Sequence, residues 1–158
     1  MLLPFLDALA ASEPARLLRA SATAYLVINA AHILSIGLIV GAILPLDLRL
    51  AGALRAVPLR VIAPFLSRVA ATGVACAVVT GLALFSVRPA EYASNSAFLA
   101  KIGLAALGLA NAAAIRFGGD WSRVLAGGPV SVRLRIHAIL SLVVWVAAVL
   151  AGRWIGFL

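Results

Sequence analysis

Charge is what this chain has least of. Of its 158 residues only 11% are charged, 65% are hydrophobic, and the mean hydropathy is +1.15. A soluble domain carries about 25% charged residues, so the polar surface of a water-facing globule is missing. Disorder is excluded as well, because it needs low hydrophobicity and high charge. Acid is scarcest: five Asp and Glu stand against thirteen Lys and Arg. No two of the five share an apolar run, so there is no carboxylate dyad for hydrolysis. The single cysteine, Cys76, rules out an intrachain disulfide. Set between Ala75 and Ala77, it reads as a small buried residue. One methionine, Met1, beside one cysteine leaves copper(I) few of the soft ligands it prefers. Walker A, HExxH and CxxC motifs are absent, as is a GxGxxG after a strand.

What is there is apolar length. Uncharged runs of 27, 19, 14 and 17 residues separate Arg19 from Asp47, Arg68 from Arg88, Lys101 from Arg116 and Arg135 from Arg153. A bilayer span needs about 20 apolar residues. The third run is too short unless it starts back at Ser96, which places Lys101 inside the bilayer. The expected spans are 20–46, 67–87, 96–115 and 135–154. A barrel would need alternating hydrophobicity; Ala-, Leu- and Val-rich runs without it are helices, which satisfy their own backbone in lipid. The fold class is therefore all-α, an integral membrane four-helix bundle in a single domain. Small residues at four-residue spacing suggest close packing: Gly37 and Gly41, then Gly73, Ala77 and Gly81, then Ala106, Ala110 and Ala114. Thr72, Cys76 and Thr80 read as a further contact face.

Residues 2–11 place Leu2, Phe5, Leu6 and Leu9 on one helical face but carry Asp7 and no basic leader. They read as an interfacial amphipathic helix and not as a signal peptide. The net charge of +8 does not imply nucleic acid, because the basic residues lie between apolar runs and form no single stripe. Eight arginines fall in the two segments after the first and third spans, and four fall on the opposite side. The positive-inside rule then puts both termini outside the cytoplasm, in a bacterial inner membrane. The expected partners are membrane lipid and either other membrane subunits or a second copy.

Ionisable groups at bilayer depth mark function by default. His32 sits beside the midpoint of its span, with Asn29 and Ser35 on the same face. It can serve as a haem ligand, a metal ligand, a proton relay or a neutral hydrogen-bonding residue. His137 lies about 10 Å to the inner side of its own midpoint, which makes a bis-histidine haem with His32 awkward. Lys101, about 7 Å to the outer side of centre, either snorkels to the interface or turns inward as an iron ligand or proton relay. Its stem is long enough to cover the depth difference to His32. Asn111 suits a hydrogen bond between helices. Trp145 suits bundle packing or the face of a planar cofactor. Asp47 and Arg49 are read as a charge pair anchoring the inner end of the first span, and Arg153 marks the outer end of the fourth.

Several strings together carry a resemblance: DLRLAG at 47–52, TGLALF at 80–85, AFLAK at 97–101, SLVVW at 141–145 and GRWIGF at 152–157. From about residue 20 onward the chain resembles an uncharacterised bacterial family of small four-helix membrane proteins, a domain of unknown function. Its layout is more loosely similar to copper-resistance D membrane domains and to the membrane-integral, haem-binding protoporphyrinogen oxidases. The oxidases use a histidine in their first region and a lysine opening a later span, which His32 and Lys101 match. Their aromatic and arginine-rich signature is not evident here, so the resemblance carries over a haem b site and leaves the oxidase activity behind. Three function classes stay open. They are a haem-b-binding redox or porphyrin-handling protein at His32, with Lys101, Trp145 and Asn29 around it; a non-catalytic membrane subunit; and a copper or small-solute transporter.

Overall fold

The computed structural model describes residues 2–157. It contains eight α-helices and no strand among them: α1 (Leu2–Ala10), α2 (Glu13–Ala20), α3 (Ala22–Ala51), α4 (Leu59–Val87), α5 (Pro89–Ser94), α6 (Ser96–Arg116), α7 (Gly119–Leu125) and α8 (Val132–Trp154). Four of these, α3, α4, α6 and α8 with its 3-10 extension to Phe157, are long and apolar enough to cross a membrane.

The helix starts are written in the sequence. Ser21 accepts a hydrogen bond from the Ala24 amide at 3.2 Å, Asn95 from Phe98 at 3.0 Å and Ser131 from Leu134 at 3.1 Å. Each caps the N-terminus of a spanning helix, where backbone N–H groups have no intrahelical partner. At the other end of α3, Gly52 takes φ 113° and the Ala53 amide reaches back to the Leu48 carbonyl at 2.9 Å. A left-handed glycine after the last turn is the usual helix stop.

Two helices run past the expected spans. α3 ends at Ala51 and α4 begins at Leu59, whereas the charge boundaries put the span ends at 46 and 67. Charges mark where hydrocarbon ends, while a helix continues until a cap stops it. The short helices α5 and α7 are too brief for an apolar period to reveal.

The helices lie in the order α4–α3–α8–α6, with extensive α3–α4, α3–α8 and α6–α8 packing and little backbone contact between α4 and α6. α8 is the most buried of the four. The main apolar core sits at one end, where Leu46 and Leu50 of α3 meet Leu59 and Ala63 of α4, Trp121 and Val124 of α7, and Leu134 and Ala138 of α8. That end, the inner end, carries the α3–α4 and α6–α8 connections. α1 packs against α5, α2 and α4. Its Phe5 is exposed, Leu6 buried and Leu9 half-buried. The side chain of Leu2, the fourth member of that expected face, lies outside the described residues.

Of the small-residue rows, only the second packs. A Cβ on Gly73 would stand 2.9 Å from Ile39 Cγ1 and 3.0 Å from the Ser35 carbonyl oxygen. A Cβ on Gly37 or Gly41 would meet nothing within 4 Å, and Ala106, Ala110 and Ala114 are exposed. Thr72 and Cys76 are exposed as well, contrary to the buried setting expected for Cys76. The buried faces are set by Ser35, Ile39 and Ala42 on α3 and by Gly108 and Asn111 on α6.

These contacts give a direct expectation. Gly73→Ala presses on backbone that cannot yield, a mismatch that costs about 1–3 kcal/mol. Gly37→Ala faces open space and gains up to about 1 kcal/mol of helix propensity. Thermal unfolding in detergent is expected to drop for the first and hold or rise for the second. Equal unfolding temperatures would contradict the α3–α4 packing.

Candidate functional site

The outer half of the bundle brings four helices together around one histidine. His32 Nδ1 lies 2.9 Å from Thr80 Oγ1 of α4, and its Nε2 lies 3.5 Å from Lys101 Nζ of α6. The Thr80 hydroxyl donates to the Cys76 carbonyl at 2.6 Å. Its one proton is thereby committed, so toward the imidazole it can only accept. The ring therefore carries its hydrogen on Nδ1 and turns the Nε2 lone pair toward Lys101. This arrangement resembles the outer partner that orients a metal-ligating histidine, which fixes the tautomer from behind and leaves the other nitrogen free.

Glycines make the approach possible. A Cβ on Gly81 would lie 3.1 Å from His32 Cε1, and one on Gly152 of α8 would lie 3.3 Å from Lys101 Cδ. Lys101 thus turns inward with its stem along Gly152 and reaches α3 across the bundle diagonal. It does not snorkel to the interface. The four-carbon stem bridges the two depths that separate Lys101 and His32 along their own helices.

One turn outward, aromatic rings close the gap between α4 and α6. Phe85 and Phe98 stack with centroids 5.4 Å apart, and Tyr92 of α5 lies 5.4 Å from Phe98. Burial first, then neighbouring Tyr25, pushes the Tyr92 phenol up from its ordinary value, so it stays neutral at physiological pH. Between this cluster and the inner-end core, α4 and α6 have little direct packing, and His32, Thr80 and Lys101 are each only half-buried.

The other expected residues fall elsewhere. Asn29 is exposed on α3, and its side chain makes no hydrogen bond to His32 or Lys101 among the described residues. Trp145 is buried against Gly108, where an added Cβ would stand 2.9 Å from its ring. It is seven residues inward of Gly152, about 10 Å along the helix, so it does not line the His32 site. Asn111 donates from Nδ2 to the His137 carbonyl at 3.0 Å, and its Oδ1 lies 2.7 Å from His137 Nδ1. The two residues lock α6 to α8 with both polar ends used. His137 is half-buried in that contact, well inward of His32.

Asp47 and Arg49 do not form the expected pair. The ion pairs among the described residues are Arg16–Glu13, Arg88–Glu91 and Arg123–Asp120. Asp47 is buried with its Oδ2 unpartnered and Ser141 of α8 beside the carboxyl. Arg49 turns away to donate from Nε to the Val57 carbonyl at 2.7 Å. Successive helical residues diverge by about 100°, so positions 47 and 49 leave the helix on different faces. Arg153 lies over the Phe157 ring, 5.3 Å from its centroid.

Thr80 is the member of the site that sequence reasoning assigned to helix contact alone. Its spacing of one position from Gly81, in a run otherwise apolar, was the available signal. Family models, curated proteins and solved structures contain no match to the chain.

Proposed function

We propose that this is a multi-pass protein of the bacterial inner membrane that binds haem b at His32, for redox or porphyrin handling. The observation that carries the reading is the Thr80 hydrogen bond, which leaves His32 Nε2 without a hydrogen and facing Lys101 inside the bundle. Lys101 offers a second nitrogen from the opposite helix. The donor set suits haem iron, which takes a protein nitrogen as an axial ligand. The two nitrogens touch at 3.5 Å, so the pair has to part to admit the macrocycle. The slight α4–α6 packing supports lateral access from lipid at this level. Haem bound there would supply one-electron chemistry; His32 would hold the iron, Thr80 would orient that ring, and Phe85 and Phe98 would exclude water.

A second reading is favoured by the same contact. His32 and Lys101 satisfy one another, and both pack on glycine, as an interhelical tie in a non-catalytic membrane subunit or homo-oligomer would.

An absorption spectrum of the purified protein in detergent separates the two. The haem reading expects a Soret band that is lost in His32→Ala and weakened in Lys101→Met. A colourless protein whose His32→Ala variant still folds would sink the haem reading and leave the tie. The surplus of arginine at the inner ends of the four spanning helices and in the connections between them supports termini outside the cytoplasm. A periplasm-active reporter fused to the C-terminus is then expected to be active. Activity only from a cytoplasm-active reporter would reverse the orientation.

A further inference from the structure

At the inner end, a cavity of about 550 Å³ opens between the α3–α4 connection and the segment that leads from α7 into α8. Arg49, Arg55, Arg60 and Arg135 line it, and no acidic residue does. Its apolar side is formed by Leu50, Leu59 and Val124, all buried. None of the four arginines takes part in the ion pairs among the described residues.

Two of the guanidiniums are held in place by their inner nitrogen. Arg49 Nε donates to the Val57 carbonyl at 2.7 Å and Arg55 Nε to the Gly52 carbonyl at 2.8 Å. The terminal nitrogens of both make no hydrogen bond among the described residues. Gly52 is the point on which two heads converge. A Cβ there would lie 3.7 Å from Arg55 Nη2 and 4.0 Å from Arg135 Nη2. The same residue has φ 113°, so glycine both turns the chain and leaves the room. Like charges directed at one spot repel unless an anion sits between them.

We propose that this cavity binds a phosphate ester. The planar guanidinium fork matches phosphate oxygens two at a time, which a lysine cannot do. Basic pockets between spanning helices at the cytoplasmic face suit anionic headgroups, and the cavity lies where the inner ends of α3, α4 and α8 meet. The volume falls in the range of small-molecule sites, about 300–1,000 Å³. The phosphate can come from an anionic lipid headgroup or from a free phosphate compound. The site is separate from His32 and stands whether or not haem binds there.

Thermal unfolding of the detergent-purified protein tests the site, since a ligand that binds the folded state raises its melting temperature. The probes are phosphatidylglycerol against phosphatidylcholine, and inorganic phosphate and glycerol 3-phosphate against chloride at equal ionic strength. A rise with phosphatidylglycerol alone supports a lipid headgroup. A rise with glycerol 3-phosphate or inorganic phosphate supports a free phosphate source. In Arg55→Gln/Arg135→Gln the apparent affinity is expected to fall about tenfold for each arginine removed. Should that variant not fold, Arg55→Lys/Arg135→Lys keeps the charge and removes the fork, and a weaker rise is expected. Two results overturn the proposal: no rise above the phosphatidylcholine and chloride controls, or a rise undiminished in the folded variant.

Discussion

A polar side chain inside a bilayer has no water to turn to, so it must find its partner on another helix. That constraint organises the bundle. Lys101 reaches across the diagonal to His32, and His32 is held from behind by Thr80. Asn111 and His137 join α6 to α8 with paired hydrogen bonds. Glycine stands where these groups need backbone to come close, at Gly81 beside His32 and at Gly152 beside Lys101. The spans are apolar on nearly every face, and apolar attraction between helices does little in lipid. The few polar contacts therefore decide which faces meet.

The two ends of the bundle do different things. The inner end is closed by leucine, alanine and tryptophan from α3, α4, α7 and α8, and it carries the arginine-lined cavity. The outer half is looser between α4 and α6 and holds the His32–Lys101 contact beneath stacked Phe85 and Phe98. Buried Asp47 lies on the inner part of α3, with one oxygen unpartnered. It belongs to neither the arginine cavity lining nor the His32 contact.

Much of the fold was legible because charge is rare. Gaps between charged residues located the four spans, and the short gap after Lys101 required that lysine to lie inside one. The caps at Ser21, Asn95 and Ser131 could be read as polar residues just ahead of apolar runs. Packing faces were harder. In a chain this rich in alanine and glycine, small residues recur every four positions by composition alone, so the rows at Gly37 and Ala106 carried no information about contact. The polar residues carried it: Ser35, Lys101, Asn111 and Ser141 all turn inward. Thr80 was passed over because a threonine in a helix can bond its own backbone. It does so here, and that bond is what frees its oxygen to accept from His32. The convergence of Arg55 and Arg135 depends on the turn at Gly52, which no periodicity encodes.

Thr80 fixes the His32 tautomer and leaves Nε2 unprotonated toward Lys101. Nitrogen NMR of histidine-labelled protein in lipid reads this directly, with only two histidines to assign. The account expects the His32 ring to carry hydrogen on Nδ1 and none on Nε2, and expects Thr80→Val to disturb that ring while leaving His137 unchanged. A His32 ring protonated at Nε2, or one indifferent to Thr80→Val, would contradict it.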